Sequence, residues 1–120
     1  MRRRRIFAGA VAAAAVLAAG GAVAVQAAST VHLQSKPHGY AFNVKVLHAT
    51  HGKVTVVMAN TSSRHHGIAV EGHGVDKDGK TVGKGKSSSV TVTLKKGTYE
   101  FYCPVPGHKA LGMKGTLIVK

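Results

Sequence analysis

The chain has 120 residues, a formal net charge of +13, one cysteine and no tryptophan. A single cysteine excludes an intramolecular disulfide framework, and the length allows one small hydrophobic core rather than several domains. The few aromatic residues are not interleaved with the basic ones, so a nucleic-acid partner is not expected.

The first 27 residues have the layout of an export signal. Four arginines precede an uncharged run from Ile6 to Val25, and Val25-Gln26-Ala27 is a tolerable cleavage tripeptide, after which cleavage would occur. An uncleaved membrane anchor is the alternative, because about 20 apolar residues can span a bilayer with the arginines on the cytoplasmic side. In both cases we expect residues 28–120 to be exported and to be periplasmic, extracellular or held on the outer face of the cytoplasmic membrane.

The segment after this leader is also strongly basic. Its formal charge is +9, since Arg64 and twelve lysines face four acids. Such a surface keeps a domain soluble, or it docks on an acidic protein or on an anionic membrane or wall. The charge alone does not choose among these alternatives.

Seven segments of residues 28–120 are rich in β-branched residues or alternate apolar and polar residues, as strands do. In the second of them, Tyr40, Phe42, Val44 and Val46 are predicted to share one face. In chain order the segments are Ser29–Gln34, Tyr40–His48, Val54–Ala59, His66–Gly72, Ser89–Lys95, Thr98–Cys103 and Gly115–Lys120.

Turn residues separate these segments, as in "KPHG", "THGK", "NTSS" and "KKGT". We therefore predict an all-β domain of about seven or eight strands, an antiparallel Greek-key β-sandwich or barrel. The polar stretch at residues 72–89 is expected to form a mobile excursion between two halves of this fold, with a short strand or a helical turn as a further possibility.

The stretch "FYCPVPGHKALGMKG", residues 101–115, combines three metal-binding side chains in one predicted loop. Cys103, His108 and Met113 are spaced five residues apart. Two prolines restrict the backbone of this loop, and two glycines permit sharp bends. The loop therefore presents a thiolate, an imidazole and a thioether towards one point.

A fourth donor is predicted from "NTSSRHHGIAV", residues 60–70. In an extended segment His66 lies on the same side as Ile68 and Val70, which indicates the core, while His65 points away. We therefore predict His66 as the ligand and His65 as a surface imidazole. The other histidines are scattered and are expected to face solvent; they are His32, His38, His48, His51 and His73.

Two histidines, one cysteine and one methionine are the ligand set of a blue-copper site. Zinc would prefer more thiolates, three histidines or a carboxylate. A lone cysteine is usually a small buried hydrophobe, and Met113 on its own would be a core residue, as we predict for Met58. The ordered spacing of all the donors favours one copper ion over these separate explanations.

On these residues the sequence resembles the cupredoxins, the blue-copper family that includes plastocyanin, azurin and amicyanin. The pattern Y-x-F-Y-C-x-x-P-G-H-x-x-x-G-M-x-G carries the resemblance, which covers most of residues 40–120. It implies a two-sheet barrel of eight strands with copper near one end. It also implies four copper ligands, which are His66, Cys103, His108 and Met113.

The resemblance extends to Asn60, which matches an asparagine that ties a loop by donating hydrogen bonds. Gly67 is a departure, because many members carry Asn or Ser directly after the first histidine ligand. The groups around a metal site tune its properties, so this departure leaves the reduction potential open.

The function that the resemblance implies is type 1 copper electron transfer between Cu(II) and Cu(I), without substrate turnover. Partners would be redox proteins such as a cytochrome, an oxidase or a reductase. We expect them to carry an acidic docking surface that Lys109 and Lys114 help to orient. A copper storage or delivery protein is the alternative. A nitrite-reductase-like enzyme fragment would need a further domain or a trimer interface.

Overall fold

A computed structural model describes residues 28–120 of the chain. The predicted leader, residues 1–27, lies outside the described residues. Within residues 28–120 the regular structure consists of eight strands, and this part of the chain has no helix of the length and apolarity that crossing a membrane requires. The strands are β1 (Ala28–Gln34), β2 (Val46–Ala49), β3 (Gly52–Ala59), β4 (Ala69–Gly72), β5 (Val75–Asp78), β6 (Ser87–Leu94), β7 (Gly97–Tyr102) and β8 (Lys114–Val119).

The strands form two sheets, which confirms the predicted all-β sandwich. The three-stranded sheet has the order β1-β3-β6, and the five-stranded sheet has the order β2-β8-β7-β4-β5. Both sheets are mixed, because β1 pairs with β3 and β2 pairs with β8 in parallel, while the other pairs are antiparallel. The two parallel pairs were not predicted, since alternation along a strand carries no information about the direction of its neighbour.

The hydrophobic core lies between the two sheets. Along β3 the side chains of Val54, Val56 and Met58 are fully buried, and along β7 Tyr99 and Phe101 face inwards. Burial alternates with the pleat of both strands. The sequence pattern predicts this for β7, whereas residues 54–59 of β3 form an almost continuous apolar run. The assignment of Met58 to the core is confirmed.

The segment before β2 differs from the prediction. Phe42 is buried, but Val46 is 46% exposed and Leu47 is only 8% exposed. Bends at Asn43 and Lys45 shift the inward face by one residue, so the predicted common face of Phe42 and Val46 is wrong. A one-residue shift reverses every side chain that follows it.

The polar stretch at residues 72–89 contains one short strand, which agrees with the first of the two possibilities named above. This is the edge strand β5, which pairs with β4 through a two-residue turn at His73 and Gly74. Both turn residues have positive φ, 50° and 83°, as a type I′ hairpin turn requires. Further along, Val82 forms a bridge with His66. The sequence did not fix the bounds of β5, because most of this strand is exposed.

Replacing Leu94 by alanine tests the core. Leu94 is 1% exposed at the end of β6, so Leu94→Ala should lower the free energy of unfolding by about 2–5 kcal/mol. Urea denaturation followed by far-UV circular dichroism measures this change. Val46→Ala at the exposed position is the matched control and should change stability by less than about 0.5 kcal/mol. Equal effects of the two substitutions would contradict the register described above.

Candidate metal centre

The loop between β7 and β8 is closed by backbone hydrogen bonds. The amide of Cys103 donates to the carbonyl of Met113 at 3.0 Å, and the amide of Met113 donates to the carbonyl of His108 at 3.1 Å. Gly107 and Gly112 have φ values of 86° and 106°, which glycine adopts without steric cost. The two sulfur residues therefore lie side by side at the end of β7 and β8.

The segment that carries His66 is tied to the same end of the sandwich. His66 exchanges two backbone hydrogen bonds with Val82, at 3.1 and 2.9 Å. The Asn60 side chain donates to the carbonyls of Arg64 and Val82, both at 2.8 Å, and accepts from the amide of Ser62 at 2.9 Å. These bonds confirm that Asn60 ties the loop.

Three of the predicted donors converge. The Nδ1 atoms of His66 and His108 are 3.3 Å apart, and the Cys103 Sγ lies 3.5 Å from Nδ1 of His108 and 3.9 Å from Nδ1 of His66. His66 and Cys103 are fully buried, and His108 is half-buried. Met113, which follows the loop, is fully buried in the same core cluster as Cys103.

The donor distances fit a single metal ion. Two nitrogens and one sulfur that lie about 2.0–2.3 Å from an ion in one plane are about 3.5–3.8 Å from one another, close to the observed 3.3–3.9 Å. This group contains no carboxylate within residues 28–120. A thiolate with two imidazoles and a neighbouring thioether suits copper better than zinc, calcium or magnesium.

The electrostatic environment keeps both imidazoles neutral. Burial lowers the pKa of His66 below its usual value, and the nearby His108 and Arg64 lower it further. Burial and then Arg64 also lower the pKa of His108. Neutral imidazoles carry the free nitrogen lone pair that a metal ion requires, so a metal ion that binds near neutral pH would displace a proton from the Cys103 thiol but not from the imidazoles.

The outcome for the remaining histidines agrees with the sequence analysis. The structure exposes His65, whereas it buries His66 completely. The five scattered histidines are also exposed; they are His32, His38, His48, His51 and His73.

Gly67 lies against the sulfur of the site. Its amide donates to the Cys103 Sγ at 3.5 Å. A Cβ atom added at Gly67 would lie 2.9 Å from the Lys80 carbonyl oxygen and 3.4 Å from the Pro104 ring. The position therefore has no room for a side chain, and a backbone amide supplies the hydrogen bond to sulfur.

Sequence reasoning missed the aromatic neighbour of His108. The ring of Tyr40 meets the ring of His108 edge-on, with centroids 4.8 Å apart and an interplanar angle of 63°. The Arg64 guanidinium carbon lies 4.8 Å from the centroid of the same Tyr40 ring. The sequence placed Tyr40 on a core face, because alternation does not show which loop packs across the end of the sandwich.

Lys109 is held by two carboxylates. Its Nζ is paired with Glu71, and it lies 2.9 Å from Glu100 and 4.3 Å from the centroid of the Tyr102 ring. The hydrogen bond from Lys109 lowers the pKa of Glu100, and the bonds to Glu71 and then Glu100 raise the pKa of Lys109. Lys109 therefore fastens the metal-site loop to the outer face of the five-stranded sheet rather than presenting a free charge to a partner.

Replacing Lys109 by glutamine tests this attachment. Because both ion pairs are partly exposed and screened, Lys109→Gln should lower the free energy of unfolding by only about 0.5–1 kcal/mol near neutral pH. Urea denaturation measures the change, with Lys36→Gln as the control at an exposed lysine.

The same loss should depend on pH. The pKa of Glu100 is lowered in the folded protein, so its contribution is present above its usual pKa of about 4.5 and is lost as the pH falls below it. The difference between wild type and Lys109→Gln should therefore shrink in acid. A difference that grows in acid would contradict the ion-pair account.

Comparison with known proteins supports the assignment from a second direction. Residues 19–120 match the family described as copper binding proteins, plastocyanin/azurin family. No curated protein sequence gives a significant match.

Solved structures share the fold. Dithionite-reduced auracyanin from Roseiflexus castenholzii is 27% identical, with a TM-score of 0.68 over 78% of this chain and 99% of that chain. Auracyanin A from Chloroflexus aurantiacus, described as a "blue" copper protein, is 25% identical, with a TM-score of 0.66 over 78% and 100% of the two chains. Copper nitrite reductase from Nitrosomonas europaea is 23% identical, with a TM-score of 0.61 over 78% of this chain and 42% of that chain, a likeness of fold alone.

Proposed function

The chain belongs to the plastocyanin/azurin family of copper-binding proteins, and from this premise we propose that it is a type 1 copper protein that carries single electrons between partner proteins. One observation carries the proposal. The Cys103 Sγ and the Nδ1 atoms of His66 and His108 converge within 3.9 Å of one another. The blue-copper auracyanins, which match almost over their whole length, support the same function.

Four residues would hold the copper. Cys103, His66 and His108 would supply three strong donors, and Met113 would supply a weak thioether donor. When bound, copper supplies one-electron chemistry by alternating between Cu(II) and Cu(I). Soft sulfur suits Cu(I) and imidazole suits Cu(II), so this mixed set accommodates both valences.

The surrounding residues hold these donors in place. Cys103 and Met113 are joined by a backbone hydrogen bond. The backbone amide and carbonyl of His66 are both hydrogen-bonded to the backbone of Val82. The Gly67 amide donates to the Cys103 sulfur; this withdraws electron density from the thiolate and favours the reduced state. A fixed donor set reorganises little between valences, which permits fast electron transfer.

Electrons would enter and leave at His108. Of the three converging residues, His108 alone is partly exposed, whereas His66 and Cys103 are buried. Leu111, in the same loop, is 62% exposed. An exposed apolar side chain in the same loop as the accessible imidazole gives a partner protein an apolar surface to pack against.

The protein would act outside the cytoplasmic membrane as a carrier rather than an enzyme. The basic and then apolar leader in residues 1–27 supports export. Its partners would be redox proteins. Copper storage or delivery is less consistent with the site, because His66, Cys103 and Met113 are buried and backbone hydrogen bonds fix the loop between β7 and β8.

Absorption spectroscopy of the copper-loaded protein tests the proposal. The oxidised protein should show an intense thiolate-to-copper band near about 600 nm that bleaches reversibly with a mild reductant. Cys103→Ser should abolish this band, because no thiolate remains. A wild-type protein that holds only colourless Cu(I) and releases it to a chelator would instead support storage or delivery.

The two adjacent histidines provide a matched pair of variants. His66→Ala should remove or disorder the copper, because it deletes one strong donor. His65→Ala should leave the band intact, because His65 is exposed. Electron paramagnetic resonance of the oxidised proteins distinguishes the two results, and the reverse pattern would contradict the ligand assignment.

The axial position is tested by Met113→Leu. The substitution conserves volume in a fully buried site but removes the weak donor to Cu(II), so copper should stay bound and the reduction potential should rise. Protein-film voltammetry measures the potential. A lower potential would show that Met113 is not the axial ligand.

A further inference from the structure

Two segments that carry cations meet at the metal-site end of the sandwich. Asn60 joins them, because its side chain donates to the carbonyls of Arg64 and Val82. Its backbone amide donates to the carbonyl of Lys86 at 2.9 Å, and its carbonyl accepts from Gly85 at 2.8 Å. The loop around Arg64 and the turn at residues 83–86 are therefore neighbours.

These segments present a basic rim, defined here as Arg64, Lys84 and Lys86. All three residues are exposed. Within residues 28–120 both salt bridges involve Lys109, so no cation of the rim is paired with a carboxylate in that part of the chain. The rim carries three positive charges that nothing nearby neutralises.

The acids lie on a different face. Glu100 on β7 lies opposite Glu71 on the neighbouring strand β4. Glu71 in turn lies opposite Asp76 on β5. Asp78 lies on the same edge strand and, like Asp76, accepts from the Tyr102 hydroxyl. The four acids of the described residues therefore gather on the outer face of β4, β5 and β7, and Lys109 offsets part of their charge.

The basic rim reaches the proposed point of electron exit. The Arg64 guanidinium carbon lies 4.8 Å from the centroid of the Tyr40 ring, and that ring lies 4.8 Å from the His108 ring. A carboxylate bound to Arg64 would thus be one aromatic ring away from His108. Arginine binds carboxylates through two parallel hydrogen bonds, which fixes orientation as well as position.

From this arrangement we infer that the basic rim is the docking surface for a redox partner protein whose own electron-transfer site is bordered by carboxylates. The inference rests on the proposed electron-transfer function and identifies the chemistry of its partner. Opposite charges would speed the encounter and align the partner over His108. The acids on the outer face of β4, β5 and β7 would repel the same partner and so prevent approach from that side.

Two small oxidants of opposite charge test the inference on the copper-loaded, reduced full chain. Hexacyanoferrate(III) is anionic and tris(1,10-phenanthroline)cobalt(III) is cationic; each accepts one electron as Cu(I) becomes Cu(II). The test variant is Lys84→Gln with Lys86→Gln, which leaves the contact between Arg64 and Tyr40 unchanged. Stopped-flow absorption at about 600 nm follows the appearance of the Cu(II) form and so measures the rate of oxidation by each complex.

The matched control is Lys53→Gln with Lys96→Gln, two exposed lysines at the other end of the sandwich. Lys53 is separated from Asn60 by about 23 Å of extended strand, more than two Debye lengths at about 0.1 M ionic strength. This control removes the same charge far from the basic rim.

The rim variant should lower the rate with hexacyanoferrate(III) by about 3–10-fold and raise the rate with the cobalt complex. The control should change both rates by less than about 1.5-fold. Opposite responses identify charge steering, because an altered copper potential would move both rates in the same direction. Equal effects of the rim and control variants would overturn the inference.

A second measurement does not depend on electron transfer. Hexacyanochromate(III) is an anionic and redox-inert complex. Because it is also paramagnetic, it broadens the amide NMR signals of the residues near which it binds. In the copper(I)-loaded chain, broadening should centre on residues 61–65 and 83–86. Broadening centred on Lys53 and Lys96, or spread evenly over the lysines, would overturn the inference.

The two measurements separate this inference from the proposed function. A chain that exchanges electrons with neither oxidant would count against electron transfer, while the amide signals would still locate the anion-binding surface.

Co-sedimentation with phosphatidylglycerol vesicles tests a lipid surface as the alternative partner. Binding to vesicles should be equal for the rim and control variants. Its selective loss in the rim variant would assign the rim to lipid and overturn the inference.

Discussion

The metal centre depends on the hydrogen bond that closes the loop between β7 and β8. The amide of Cys103 donates to the carbonyl of Met113, and the amide of Met113 donates to the carbonyl of His108. The pairing of two core strands therefore brings together three of the proposed ligands, Cys103, His108 and Met113. Because the strands are anchored by buried residues such as Phe101 and Leu117, the stability of the sandwich also maintains the geometry of the site.

The site carries a cost that the fold must offset. The Nε2 atom of His66 is buried and has no hydrogen-bond partner among the described residues, and an unsatisfied buried polar atom costs about 1–3 kcal/mol. The His66 ring is held so that Nδ1, not Nε2, meets Cys103 and His108. Backbone hydrogen bonds between His66 and Val82, and the hydrogen bond from the Asn60 side chain to the Val82 carbonyl, hold the segment around His66 in place. The free-energy cost of the unpaired Nε2 atom therefore arises where His66, Cys103 and His108 converge.

Much of this arrangement could be predicted from the sequence. Strands such as β6 and β7 alternate apolar and polar residues because each has one face on the core, and the spacing of Cys103, His108 and Met113 within one loop indicates a shared ion. Other features depend on packing between distant segments and leave no local pattern. The contact between Tyr40 and His108, the inward shift at β2 and the parallel strand pairs belong to this second class.

We expect the folded chain to fix the proposed copper donors before the ion arrives. Crystal structures of the metal-free protein and of its Cu(I) and Cu(II) forms test this expectation. We predict that the separations among Nδ1 of His66, Nδ1 of His108 and Sγ of Cys103 stay near 3.3, 3.5 and 3.9 Å in all three forms. A metal-free protein in which His108 turns away, or in which its loop refolds around the ion, would contradict the account.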